Sequence, residues 1–119
     1  MVSETFPSNT VIVRGGIATA AQLANGCGDH LDHPGIHGFS VQAEPGMEAE
    51  ELARAGAYPN AKISVTTVKK LRDAGYDIVR TKGRGFHATV VVPRNWHPPD
   101  ASKLAGVFEV ESNPARRKM

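Results

Sequence analysis

Short apolar runs alternate with polar segments along the chain, and glycine or proline bounds most of them. β-Branched content and alternation predict five strands, at residues 10–13, 39–42, 61–66, 76–81 and 86–92. Apolar residues at helical spacing predict four short helices, at residues 19–26, 47–55, 67–74 and from Asp100 onward. The pattern therefore predicts a small α+β domain of about five mostly antiparallel strands with short helices.

Local signals indicate where these elements end. Thr19 and Gln22 have capping-box spacing at the first helix, and Gly26 can stop it. The turn Lys82–Gly85 joins the last two predicted strands into a hairpin. A polar arm (1–9) and a basic tail (114–119) flank the domain, which we expect to span residues 1–119.

Length and composition fit a single globular domain of 119 residues. Cys27 is the only cysteine, so no disulfide can form within the chain. The sequence has neither an apolar run long enough for a membrane span nor a secretory signal. We therefore expect no membrane association and a cytoplasmic site of action, with delivery by a secretion system left open.

The net charge of +2 conceals a strong asymmetry. Residues 1–61 hold two basic and seven acidic side chains, whereas residues 62–119 hold twelve basic and five acidic ones. Such clustering suits an anionic partner, either a nucleic acid or a dinucleotide. Lys82, Arg84 and Arg94 are the candidate nucleic-acid contacts, and a solvated basic surface is the simpler alternative.

The strand that begins at Phe86 carries the first candidate site. Alternation places His87 and Thr89 on one face, with Phe86, Ala88 and Val90 on the other. An imidazole beside a hydroxyl can transfer protons or contact a phosphate. The alternative is an edge strand whose polar face meets only water.

Arg14 is the second candidate, because it ends an apolar strand and precedes Gly15 and Gly16. A guanidinium held there can reach a phosphate, and the glycines let a ligand approach the backbone. A surface arginine before a turn is the alternative.

A metal site is not expected, although one loop is rich in potential ligands. The loop contains Cys27, Asp29, His30, Asp32, His33 and His37. Zinc needs three or four ligands at constrained spacing, and a helical His33–His37 pair would have to run through Pro34. A Ser-His-Asp triad and a Walker loop are also unsupported.

Four motifs carry a resemblance to known families: Arg14 with its flanking strand and glycines, the strand around Ser40, residues 63–68, and His87 with Thr89. The set resembles toxin domains at the C-termini of Rhs and filamentous-haemagglutinin polymorphic toxins. Arg14-Gly15 and the aromatic-Ser40 strand also resemble the first two motifs of ADP-ribosyltransferase-like folds. The His-x-Thr strand is similar to one in type VI effector toxins of that fold.

The resemblance implies a bacterial effector with an NAD pocket and a cognate immunity or antitoxin protein as partner. In that family the arginine binds the NAD phosphate or ribose and the serine supports the nicotinamide half. Arg14, Gly15 and Ser40 would then bind NAD. Most such transferases carry a glutamate on a late strand, where this chain has His87 and Thr89.

Two other functions stay open. A metal-independent ribonuclease toxin would use His87 as general acid or base, with Thr89 and Arg84 on the scissile phosphate. A non-enzymatic module of the immunity or antitoxin type would bind nucleic acid or protein.

Overall fold

The computed structural model describes residues 6–30, 33, 35–93, 96 and 98–114, which form one sheet and four short helices. The strands are β1 (Val11–Gly15), β2 (Gly28–Asp29), β3 (His37–Ala43), β4 (Lys62–Thr67), β5 (Asp77–Arg80), β6 (His87–Val91) and β7 (Glu109–Ser112). The helices are α1 (Ala20–Gly26), α2 (Ala49–Gly56), α3 (Val68–Asp73) and α4 (Pro98–Ala105).

The strands lie in the order β5-β6-β3-β1-β4-β7, and β2, which is outside this order, makes a third pairing with β3. Every strand pair is antiparallel, and β5 and β6 form the expected hairpin. The small α+β domain predicted from the sequence is confirmed. No helix in the described part of the chain is long and apolar enough to cross a membrane.

The sheet has seven strands, where the sequence predicted about five. The two additional strands, β2 and β7, are short and polar. All four residues of β7 are exposed, and Glu109 and Glu111 alternate with Val110. Hydrophobic patterning detects buried strands, so it gives no signal for either of them.

Threonine caps begin α1 and α3, whereas α2 and α4 differ from the predicted bounds. Thr19 and Thr67 cap α1 and α3, each accepting a hydrogen bond from a backbone N–H three residues on. Helix α4 begins at Pro98, so Asp100 lies within its first turn and is not its cap. Proline is tolerated there because the first turn leaves its N–H groups unpaired. Helix α2 ends at Gly56, and Ala57 takes the left-handed conformation with φ 53°.

The two faces of the sheet bury separate apolar clusters. Helices α1, α3 and α4 cover one face, where Phe39, Val90 and the arm residue Phe6 are fully or almost fully buried. Helix α2 covers part of the other face, where Leu52 packs on a smaller cluster. Phe86 packs on this second cluster and not beside Val90 as expected, because it lies in the turn before β6.

Candidate functional site

The sheet opens beside the middle of β3. The β1–β3 register ends where Val13 faces Gln42, and β2 pairs with β3 only at His37 and Gly38. On this side of β3, Ser40 therefore has no partner strand. We call the gap bounded by Arg14, Gly15 and Ser40 the sheet opening.

Arg14 extends its guanidinium into the sheet opening. Its Nη1 donates a hydrogen bond of 2.7 Å to the Ser40 carbonyl oxygen, which the missing strand leaves unpaired. The guanidinium also lies over the Phe39 ring, 5.2 Å from its centroid. A Cβ atom at Gly26 would overlap Arg14 Nη2, so the glycine there lets α1 approach the cation. Burial lowers the pKa of Arg14 from its ordinary value.

The Arg14 charge has no negative partner in the described part of the chain. No carboxylate among those residues forms an ion pair with it. The ionisable groups that influence it are Tyr58 and Cys27. Burial raises the pKa of Tyr58 to about 12 and also raises the pKa of Cys27, so both groups are neutral at pH 7. A largely buried cation without a counter-ion is costly, which makes the sheet opening attractive to an anion.

The predicted site residues project from both faces of the sheet. Ser40 pairs with Thr89, and Gln42 pairs with both Val13 and His87, so these side chains share one face. Arg14 follows Val13 along β1 and therefore leaves from the opposite face. The exposed Ser40 side chain shares its face with His87, whereas the guanidinium of Arg14 reaches only the Ser40 backbone in the opening.

His87 is hydrogen-bonded to one threonine hydroxyl, which is in turn hydrogen-bonded to a second. Its Nδ1 lies 2.8 Å from Thr81 Oγ1, and Thr81 Oγ1 lies 2.8 Å from Thr89 Oγ1. Thr89 is buried, so it supports Thr81 and does not contact solvent. Burial, followed by the neighbouring His30, lowers the pKa of His87, while a hydrogen bond to the Thr81 backbone opposes this shift. The ring is therefore neutral at pH 7.

Two further histidines complete what we call the imidazole cluster, His30, His33 and His87. The His30 ring lies edge-on to both others, with centroids 5.6 Å from His87 and 4.7 Å from His33. Both contact the backbone of Lys82: His30 Nε2 lies 3.0 Å from the Lys82 carbonyl oxygen, and the Lys82 N–H donates to His33 Nε2 at 2.9 Å. These two contacts connect the loop that carries His30 and His33 to the turn at Lys82. Among the described residues no group of three or more potential ligands could hold a metal ion.

Most of the basic residues near β6 are locally neutralised. Four of these basic residues form ion pairs with described carboxylates: Lys69–Asp73, Lys70–Glu109, Arg72–Asp77 and Arg80–Glu44. Lys82 and Arg84 are exposed and form no ion pair with a described residue. Arg94, the third candidate nucleic-acid contact, lies outside the described residues. Of the three predicted nucleic-acid contacts, Lys82 and Arg84 are therefore the two that the structure describes as exposed cations.

Sequence reasoning missed two residues that shape the site. Thr81 faces His87 across the hairpin, a position that the register of the two strands would have indicated. Gln42 braces the turn, since its Nε2 donates to the Arg84 carbonyl at 2.8 Å and its Oε1 accepts from the Phe86 N–H at 2.7 Å. No local signal marks Gln42, because both contacts are more than 40 residues away in sequence.

A groove of about 500 Å³ shares Gly15 with the sheet opening, and neither Arg14 nor Ser40 lines it. Its lining includes the backbone of Gly15 and Gly16 with Gln22, Asn60 and Lys62. A second groove, of about 900 Å³, lies between Tyr76 and Trp96 and includes none of the predicted site residues. The first groove is the one relevant to a ligand at Arg14.

The chain matches no protein-family model, no curated protein sequence and no solved structure at a significant level.

Proposed function

We propose that the sheet opening binds the diphosphate of a dinucleotide, in an NAD-directed effector domain of the ADP-ribosyltransferase-like kind. One observation carries the proposal: Arg14 is largely buried and has no carboxylate partner among the described residues. Its bond to Ser40 uses one of five N–H donors, and the others suit the paired oxygens of a phosphate. A bound diphosphate would supply the missing negative charge.

The neighbouring residues fit the rest of such a ligand. The Ser40 hydroxyl is exposed beside the opening and suits a ribose hydroxyl. Gly16 lines the adjoining groove, where a ligand can approach the backbone. The side chains of Tyr58 and Asn60 pack against Gly15, where a Cβ atom would lie 2.6 Å from Tyr58 Cδ1, so the close approach expected there is not available. His87, supported by Thr81 and Thr89, completes the pocket on the Ser40 face.

NAD, when bound, supplies a ribosyl carbon from which nicotinamide can leave. The chain's own contribution is to bind the diphosphate through Arg14, orient a ribose through Ser40 and hydrogen-bond the ligand through His87. A toxin of this kind would act in the cytoplasm, where NAD is available, and would require a cognate immunity protein in the producing cell.

Calorimetric titration with NAD and ADP-ribose tests this proposal. Arg14→Ala should weaken binding of both ligands at least about 10-fold, because it removes the cation at the opening. Arg54→Ala is the matched control, since Arg54 is an exposed arginine on α2 paired with Glu50. Absence of binding to the unaltered protein at millimolar NAD would overturn the proposal.

RNA cleavage without metal is the second candidate, and the imidazole cluster favours it. His87 is neutral at pH 7 and lies next to a turn whose Lys82 and Arg84 have no described ion pair. A neutral imidazole can take the proton of a ribose hydroxyl while the two cations bind phosphates. Cleavage of RNA in excess EDTA, abolished by His87→Gln, would establish this activity in place of the first.

A further inference from the structure

The two hydroxyl groups behind His87 are shielded from water. Thr81 is 4% exposed and Thr89 is 3% exposed. Buried hydroxyl hydrogens almost always have an acceptor within the protein. The direction in which each hydroxyl donates therefore follows from counting the acceptors that each can reach.

Only one direction satisfies both hydroxyls. In the described part of the chain, Thr89 Oγ1 has a single hydrogen-bond partner, Thr81 Oγ1 at 2.8 Å, so Thr89 must donate to Thr81. Thr81 then has one hydrogen left to give, and His87 Nδ1 lies 2.8 Å away to accept it. The reverse direction would leave the Thr89 hydrogen buried without an acceptor, which is unfavourable.

We propose that Thr89 and Thr81 are positioning residues that hold neutral His87 in the tautomer protonated on Nε2. The outer nitrogen is then a donor, and it has no hydrogen-bond partner among the described residues. Gly83 lies against the ring so closely that a Cβ there would be 2.5 Å from His87 Cγ. The backbone of the turn therefore packs directly against the ring.

This inference deepens the proposed function and depends on it for the identity of the ligand. An Nε2–H group suits an oxygen acceptor, such as a ribose hydroxyl, a carboxamide carbonyl or a phosphate oxygen. It cannot abstract a proton through Nε2 in the neutral state, which the RNA-cleaving candidate requires. The tautomer of His87 therefore distinguishes between the two candidate functions.

Multiple-bond ¹H–¹⁵N spectra of the histidine rings at pH 7.5 test the tautomer directly, with His87→Gln to assign the signals. We expect the Nε2–H pattern for His87 in the unaltered protein. Thr81→Val removes the hydroxyl that donates to His87 Nδ1 and keeps the shape, so the Nδ1–H form should become populated. Thr81→Ser is the matched control and should retain the original pattern.

A predominantly Nδ1–H pattern in the unaltered protein would overturn the inference, as would an unchanged tautomer in a folded Thr81→Val variant. If that variant does not fold, the spectrum of the unaltered protein and the Ser control still decide. Adding NAD separates this inference from the proposed function. Failure of NAD to bind while the Nε2–H pattern persists would contradict only the proposed function.

Discussion

The sheet opening and the imidazole cluster differ in the positive charge that they hold. The opening keeps a guanidinium that cannot lose its proton, and it offers no described carboxylate to balance it. The cluster gathers three groups that can be neutral, and burial keeps His87 uncharged. The first region is therefore suited to binding a permanent anion, and the second to hydrogen bonding or proton transfer.

This difference assigns separate roles to two regions that the sequence suggested as one pocket. Arg14 leaves β1 from the face opposite to His87 and meets Ser40 only at its carbonyl. A ligand that uses both regions must therefore extend from the opening onto the Ser40 face. An extended dinucleotide suits that requirement better than a single phosphate does.

The largest expected effect is on turnover, through the imidazole cluster. His87→Gln should lower activity on the true substrate by about 100-fold, the usual range for a group that donates or accepts a proton. Folding should change little, since the ring is partly exposed. Nicotinamide release or RNA cleavage is the measurement, depending on which substrate is established. Full activity in a folded variant would restrict His87 to packing.

At the sheet opening, a change at Arg14 should affect binding far more than stability. Arg14→Met removes a partly buried charge and keeps apolar contact with Phe39, but it also removes the donor to the Ser40 carbonyl, so the free energy of unfolding of the ligand-free protein should change by less than about 1 kcal/mol. Binding of NAD should be lost in the same variant. Urea denaturation checks the first point, with Arg54→Met as the control, because exposed positions change stability within about 0.5 kcal/mol. A large destabilisation would mean that Arg14 serves the fold.

A smaller expected effect is a pH dependence of stability that comes from His87 and not from Arg14. The pKa of His87 is lowered in the folded state, so the unfolded chain binds more protons below about pH 6.5. Stability should therefore fall as the pH drops from 7 through 6.5 towards the folded-state pKa, and His87→Gln should flatten this part of the profile. Arg14→Met should leave it unchanged. Melting temperatures between pH 5 and 8 provide the comparison.

Salt dependence should give the smallest signal. If Lys82 and Arg84 contact RNA phosphates, the affinity for a single strand should fall with a log–log slope of about −1.4, from roughly −0.7 per contact. NAD binding at the buried Arg14 should vary less with salt. Fluorescence titration of a labelled oligonucleotide from 50 to 300 mM salt measures the slope. A much steeper slope would indicate more phosphate contacts than these two residues provide.

The sequence predicted elements whose signals are local and missed contacts that depend on distant pairing. Thr19 caps α1 as expected because a cap needs only the next three residues, and Thr67, which was predicted inside its helix, caps α3 in the same way. One side of β3 pairs with β1 along part of its length and with β2 along another part. No local sequence signal predicts this, because strand pairing depends on the whole folded sheet.

The candidate site shows the same division. His87 and Thr89 share a face as alternation predicted, because that rule applies within one strand. The hydrogen bond from Arg14 to the Ser40 carbonyl joins residues 26 apart in sequence. The N–H and carbonyl groups of Lys82 are hydrogen-bonded to histidines about 50 residues away. Side-chain chemistry could be identified in advance, but the partners of each group could not.

The outermost strand also has a consequence for assembly. Strand β7 is exposed along its length, and an open strand edge invites pairing with the same edge of another molecule. Glu109 and Glu111 would bring like charges together in such a pair, and only Val110 offers apolar contact. The acidic edge thus discourages two copies from extending one sheet across both molecules, so crowding at high concentration should not by itself lead to fibres.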